Sequence, residues 1–467
     1  MATKPRRDPE HVDAVEDEAD APLAAQDGDA PAAAAEATEV DAGRERGPER
    51  ESETPEESPI VQTDSEDPVE EAASVPALVA SAVTSSSAWM DWRSSLRIGL
   101  EWARSVRLGR AAAERREKRL VGLKIGSSQV AAAQVVNNGA PELVEVFRAP
   151  LEPGLVVSGE IRDPDALGDT LKRFFELHKL PTRGVRLGLS NNRIGVRSFE
   201  IEGVTDPQQL ENAIRFRAEE VLPIPLDEAV LDYVVLDEEP REDGTPCKRI
   251  LLVVAYREVV DRYLQACRRA GLQVVGIDLE AFALLRSLEA PGERDQATGA
   301  LVAVAIGHDR TTIAVSTGRF CEFARVLEWG GWSLNVAIAR ELDKAPSEVE
   351  SIKRQLSFAQ VTEVDGLTRE QVTKAREAMQ RALASFVREL VASLHFYQAQ
   401  PGALGIGEVV LTGGAAHMSG LPEAVGQLVG VPIRLGDPFK RVKVDANVRS
   451  EDQPGSVAIA IGLGIED

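Results

Sequence analysis

The sequence predicts an α/β protein of two related lobes with a small inserted α+β subdomain, standing behind a disordered acidic N-terminal tail. The order strand, hairpin, helix is read twice, over residues 119–195 and again from 276 to 467, with largely helical material inside the second stretch. Glycine-marked hairpins occupy matching places in that order, at 121–128 and 304–312. Composition shifts sharply near residues 88 and 119, which sets a tail and a short linker apart from the folded part.

Residues 1–87 carry 23 Asp and Glu against 6 Lys and Arg, a net charge of −17, and are poor in aromatic and branched apolar residues. Such a segment cannot bury enough apolar surface to offset about 1–2 kcal/mol of backbone entropy per residue, so it is expected to be disordered. It reads as a solvated spacer or as a docking tail for a basic partner. Residues 88–118 change character: helical spacing brings Trp89, Trp92, Leu96, Leu100, Ala103 and Val106 to one side, with Arg93, Arg97, Arg104 and Arg107 around the rest. Together with Trp102, this is the composition of an interfacial helix at an anionic membrane surface. Trp89, Trp92, Arg93, Leu96, Arg97 and Trp102 are then the membrane-association residues. A helix that packs on the domain or on a partner is the other reading.

The remaining residues, 121–467, carry a net charge of −11. An acidic folded body excludes a nucleic-acid binder, because phosphate contacts need clustered Lys and Arg. Cys247, Cys267 and Cys321 and the five histidines are scattered, without ligand spacing, so no metal site and no disulfide framework is expected. The first residues hold no signal-like apolar stretch, and no run of about 18 apolar residues occurs. The expected place is the cytoplasm, peripheral at the inner face of the cytoplasmic membrane.

Along the folded part, 119–151 reads as a pair of strands around an Asn137-Asn138-Gly139 turn with a third following, since Asn-Gly is a strong hairpin signal. Residues 163–179 form an amphipathic helix with Asp163 as its cap and Pro164 in its first turn. A strand closes this first lobe, 119–195. Residues 196–275 give strand, helix, two strands about a polar loop, a helix ending on Gly271, and a strand, read together as the inserted subdomain. The second lobe, 276–467, opens with the second hairpin, continues through helices over 333–400, and closes with a strand, a helix and a C-terminal segment returning to complete the first lobe.

Three glycine elements carry the candidate chemistry. Lys124, Gly126, Ser127 and Ser128 end the first hairpin strand; Gly307, Thr311 and Thr312 lie in the second hairpin; Leu411, Thr412, Gly413, Gly414 and Ala415 end a late strand before a helix. Glycine lets backbone N–H groups approach phosphate oxygens closely, and neighbouring hydroxyls can join them. Each element alone is an ordinary turn; the three in this order and at these separations resemble the actin-like ATPases. Within them the chain is similar to PilM, of type IV pilus assembly, and to its cell-division relative FtsA. The resemblance spans residues 119–467, and the stretches 151–171 and 213–236 are PilM-like in detail.

The resemblance implies an actin-like fold and a nucleotide cleft. In that cleft the three elements would face the phosphates and adenosine, Gly330 and Gly331 would turn beside them, and Glu350 and Lys353 would reach the ribose. It also shows where the chain departs from the pattern. Both phosphate motifs begin with Asp in the family, and here those positions are Lys124 and Ala305. Mg²⁺ needs hard oxygen ligands, and phosphoryl transfer rests on the charge neutralisation that Mg²⁺ supplies. ATP is therefore expected to bind weakly or not at all, Mg²⁺ is not expected to be well held, and hydrolysis is expected to have decayed. The implied function is a scaffold for type IV pilus or related secretion assembly. It would recruit the N-terminal peptide of a PilN-like inner-membrane protein into a groove beside the inserted subdomain, with the pilus motor ATPase as a further candidate partner. An active, nucleotide-switched FtsA-like ATPase or filament former is the alternative. FtsA-like proteins tend to carry their membrane helix at the C-terminus, and this chain ends at GLGIED.

Overall fold

The computed structural model describes residues 119–221, 225–238, 240–241, 243–289, 299–318, 320–400, 402–446, 448 and 453–466. The acidic tail and the segment 88–118, with Trp89, Trp92, Arg93, Leu96, Arg97 and Trp102, lie outside the described residues.

The first hairpin is β1 (Arg119–Ile125) and β2 (Gln129–Val136), and β3 (Glu142–Pro150) follows the Asn-Asn-Gly turn, where Gly139 takes φ +103°. A two-residue ribbon, β4 (Val156–Val157) and β5 (Glu160–Ile161), leads into α1 (Pro164–His178). The Asp163 carboxylate caps α1, accepting from the N–H groups of Asp165 and Ala166 at 3.0 and 2.9 Å. β6 (Arg183–Leu189) pairs parallel with β1.

The chain then builds a separate antiparallel sheet from β7 (Ile194–Glu202), β8 (Ala229–Glu238) and β9 (Cys247–Tyr256), in the order β7-β9-β8. Helix α2 (Pro207–Val221) covers one face through Leu210, Ile214 and Ala218. This insert is narrower than the 196–275 expected. Helix α3 (Arg257–Arg269) turns Val259, Val260, Tyr263, Ala266 and Cys267 into the first-lobe core, and β10 (Gln273–Leu279) pairs parallel with β6. The sequence marked these elements correctly, but an apolar helix stripe does not say which core it will join. A further helix, α4 (Glu280–Leu288), follows where the sequence reading passed straight from a strand to the second hairpin.

The second lobe consists of β11 (Ala300–Ile306), β12 (Thr311–Ser316), β13 (Cys321–Leu327), α5 (Gly331–Leu342), α6 (Glu350–Gln355), α7 (Arg369–Gln398), β14 (Ile406–Thr412), α8 (Leu421–Val429) and β15 (Ile433–Leu435). Its sheet order is β13-β12-β11-β14-β15, while the first sheet runs β10-β6-β1-β2-β3-β16, with β16 (Lys443–Val444) coming back beside β3. Strand alternation sorts β11 cleanly. Ala300, Val302, Val304 and Ile306 enter the helical core with Leu334, Ile338, Met379 and Phe386, whereas Leu301, Ala303 and Ala305 face α4 and the last helix, α9 (Ala458–Gly464).

Helix α9 is buried along its whole length and lies against both sheets. Its approach is set by glycine. A Cβ on Gly122 of β1 would collide with the Ala460 carbonyl and stand 2.6 Å from the Gly464 nitrogen, and one on Gly462 would collide with the Ala283 carbonyl. Backbone cannot move aside as a flexible side chain does. Gly122→Ala is therefore expected to cost about 1–3 kcal/mol or more in urea unfolding, and Gly405→Ala, which meets open space, to stay within about 0.5 kcal/mol. Equal stability of the two variants would contradict the packing described.

Candidate functional site

The first hairpin turns at Gly126, whose N–H donates to the Gln129 carbonyl at 2.9 Å, and leaves the Ser127 hydroxyl buried without a hydrogen-bond partner. Lys124 sits one residue before the end of β1. Its ammonium lies 3.8 Å from the carboxylate of Glu280, the first residue of α4, and both side chains are largely out of water. An acidic residue in a first helical turn is favoured by the helix dipole, and here the Lys124 ammonium supplies the counter-charge as well.

In the second hairpin the Gly307 N–H closes the turn on the Arg310 carbonyl at 2.9 Å. The amides of Gly331 and Trp332, at the start of α5, donate to the Gly307 and His308 carbonyls at 3.0 and 2.7 Å. Gly330 has no room for a Cβ beside the His308 carbonyl, and the His308 ring lies tilted on Trp332 at 5.4 Å. The two threonines do not project as the motif implied. Thr311 is buried and donates to the Trp329 carbonyl at 2.7 Å, while the Thr312 hydroxyl meets Ser190 of the first lobe at 3.1 Å. Residue type was readable from the sequence; side-chain direction depends on strand register.

Lys353 on α6 donates to Glu350 at 2.7 Å and to the Gly331 carbonyl at 3.2 Å, and Asn335 and Arg354 also donate to Glu350, at 2.9 and 3.0 Å. Burial works against the Glu350 charge, yet these donors hold its pKa down at about 2. The third turn follows β14. Gly413, at φ +89°, abuts the Ile306 backbone, and Gly414 leads into a short 3-10 turn containing His417. The Thr412 hydroxyl is buried and unpartnered, and the Gly455 N–H donates to His417 Nε2 at 3.2 Å. Gly307, Gly330, Gly331, Glu350, Lys353, Gly413 and Gly414 thus form one continuous second-lobe wall. Lys124, Gly126, Ser127 and Ser128 belong to the first lobe. The two orphaned hydroxyls, Ser127 and Thr412, and the glycine turns fit phosphate oxygens. The positions Lys124 and Ala305 offer a metal ion no oxygen.

Several residues at this site were not singled out from the sequence. Asp309 and Arg310, at the tip of the second hairpin, cross to the first lobe: Asp309 Oδ2 accepts from the Ser158 N–H at 2.8 Å, and Arg310 Nη1 donates to the Ser190 carbonyl. The two side chains also pair with each other at 3.5 Å. Tyr263 donates to the Gly159 carbonyl at 3.1 Å, burial pushes its hydroxyl up to about 12, and Arg310, Glu280 and Asp309 all act on it. Asp309 and Arg310 were visible in the hairpin itself. Glu280 was hidden because its helix was not read.

A second feature lies between α1, α3 and the start of β8, an open groove of about 750 Å³. Its walls carry Asp227, Glu228, Glu258 and Asp261 against Arg257 and Arg262. Both guanidinium groups are engaged: Arg257 donates to the carbonyls of Asp227 and Ala229, and Arg262 to Glu258 and the Ile161 carbonyl. The carboxylates of Asp227, Glu228 and Asp261 make no ion pair or hydrogen bond among the described residues. Among the described residues there is also no group of three His, Cys, Asp or Glu able to hold a metal ion, and no helix long and apolar enough to cross a membrane.

A family model described as type IV pilus assembly protein PilM matches residues 122–467. Among solved structures, a PilM-PilN type IV pilus biogenesis complex aligns with a TM-score of 0.63 at 27% identity, covering 74% of this chain and 97% of that one. The cell division protein FtsA of Escherichia coli (strain K12) is 26% identical over 362 residues, covering 69% of this chain and 84% of FtsA. FtsA of Pseudomonas aeruginosa is 26% identical over 356 residues with the same shares. The two-lobed body is accordingly an actin-like ATPase fold.

The two cleft histidines give a pH dependence. Burial alone lowers the pKa of His417 from the ordinary 6.5; for His308 burial leads and Lys353 adds to it. Both are therefore favoured as neutral bases in the folded state, and His417 can accept from Gly455 only in that form. For a base with a depressed folded pKa, the stability gained is fully present above the unfolded pKa and is lost as pH falls below it. The thermal midpoint is expected to decline from about pH 7 to about pH 5, and to decline less in His417→Gln. Parallel profiles for the two proteins would show that His417 contributes nothing.

Proposed function

Because the chain belongs to the PilM family of type IV pilus assembly proteins, we propose that it is a cytoplasmic scaffold that holds the N-terminal peptide of a PilN-like inner-membrane protein. The observation that carries this reading is the groove between the first lobe and the insert. It is open, it lies where two subdomains meet, and it presents three carboxylates with no partner among the described residues. An extended peptide is bound by backbone hydrogen bonds and a few side-chain pockets, with no chemistry required, and these carboxylates favour a peptide carrying basic side chains. The pilus motor ATPase is the further partner such a scaffold would bring to the same membrane.

The cleft plays a secondary part in this reading. Its turns and the Glu350–Lys353 pair would hold adenine nucleotide weakly or not at all, and with Lys124 and Ala305 in the two aspartate positions hydrolysis has decayed. These substitutions count against the active FtsA-like alternative, although FtsA shares the fold.

Titration of the whole protein with the N-terminal peptide of its cognate PilN-like protein is expected to saturate in the micromolar range. Reversing charge in the groove, with Glu228→Lys and Asp261→Lys, should weaken binding at least tenfold, about 1.4 kcal/mol. Absence of binding at high micromolar peptide would remove the scaffold reading.

Membrane attachment rests on the sequence of residues 88–118, three tryptophans among arginines. The full chain is expected to co-sediment with anionic liposomes and to be released by salt, whereas a variant lacking 88–118 stays in the supernatant. Equal sedimentation of the two proteins would assign those tryptophans to packing instead.

A further inference from the structure

We propose that a largely buried network of four charges, Lys124, Glu280, Asp309 and Arg310, has taken over the place and the work of a metal–nucleotide complex at the floor of the cleft. It holds the two lobes together from within and leaves no site for a divalent cation. The proposal rests on the decayed-cleft half of the function above and is independent of the peptide groove.

Two basic and two acidic groups make up the network, and their charges cancel. Lys124 and Glu280 form the pair on the first-lobe side at 3.8 Å, and Asp309 and Arg310 form the pair carried by the second-lobe hairpin at 3.5 Å. Glu280 is 3% exposed and Arg310 7%. Tyr263 donates to the carbonyl of Gly159, the residue that faces the Arg310 guanidinium, and Arg310, Glu280 and Asp309 all bear on its hydroxyl, which places the two pairs in one neighbourhood. The second pair also acts as a bolt. Asp309 accepts from the Ser158 N–H, Arg310 donates a hydrogen bond to the Ser190 carbonyl, and Thr312 meets the Ser190 hydroxyl, so three bonds cross from the second lobe to the first. The socket is shaped for this. Gly159, at φ +76°, faces the Arg310 guanidinium so closely that a Cβ there would collide with it.

A divalent cation entering this floor would meet the Lys124 ammonium and the Ala305 methyl where it needs oxygens. The two carboxylates within reach are already matched to cations of the protein's own. Drawing either away would strand the half-buried Lys124 ammonium or the buried Arg310 guanidinium, and stranding a buried charge is among the costlier changes a folded protein can undergo. A bound Mg²⁺ would supply positive charge at this floor; here Lys124 and Arg310 supply it as fixed parts of the chain. The lobes therefore stay closed whether or not a ligand is present.

Hydrogen–deuterium exchange on the full-length protein tests this, read over 156–161, 188–192 and 305–312, in EDTA, in millimolar Mg²⁺ alone, and in Mg²⁺ with ATP. Exchange in the wild-type protein is expected to be the same in all three. Arg310→Lys, which keeps the charge and loses the reach, should raise exchange at 156–161 and 188–192 by about tenfold, with 406–412 unchanged. Lys124→Asp combined with Ala305→Asp should make exchange at these segments fall when Mg²⁺ is added. Protection of the wild-type segments by Mg²⁺, with or without ATP, would overturn the proposal, and so would an Arg310→Lys protein with wild-type exchange. The wild-type comparison decides even if a variant fails to fold. Peptide binding is measured separately, so failure of the network and failure of the scaffold reading are distinguishable.

Discussion

A charge removed from water must be matched, and the space between the two lobes obeys that constraint strictly. Glu280 and Arg310 are almost fully buried there, and each has an opposite charge within 4 Å. Once these pairs are set, the tip of the second hairpin has one position it can occupy, against Ser158 and Ser190. The glycine turns behind it are then fixed as well. Gly331 hangs from Gly307, Lys353 from Gly331, and Gly413 rests on Ile306, so the second-lobe wall inherits its position from the hairpin.

The wall and the groove have different physical characters, and this separates their roles. The wall is made of backbone turns whose polar groups mostly find partners within the protein, including the first amides of α5. The groove presents carboxylates on a helix and just before a strand; Arg262 pairs with Glu258, and otherwise the two arginines hold backbone carbonyls of the frame, which leaves Asp227, Glu228 and Asp261 unneutralised. A surface of that kind is suited to a partner that brings its own positive charge.

Most of the body could be read from the sequence because its signals are local. The Asn-Gly turn, the Asp163–Pro164 helix start, the two glycine hairpins and the run of helices before β14 each depend on a few adjacent residues. The two aspartate substitutions were equally plain, since they are statements about residue type. What stayed hidden required knowledge of distant partners. The sheet that would receive β10, the core that would receive α3, and the inward direction of Thr311 are settled by contacts far away in the chain. Glu280 combined both difficulties: its nine-residue helix is short, and its partner Lys124 lies on another strand.

The threading of α9 between the sheets has a consequence for how the protein is made. Asn137, at the end of β2, donates to the Gly464 carbonyl across 327 residues, and Arg186 of the same sheet donates to Ile465. The apolar face of the first sheet that receives α9, with Ala131, Ala133 and Val135, precedes the helix that covers it by almost the whole length of the folded part. Until α9 is in place that face has no cover, and loop closure over such a span is slow. The first lobe therefore has a high contact order, and its apolar sheet face is completed only when a helix of seven residues from the distant side of the fold has docked.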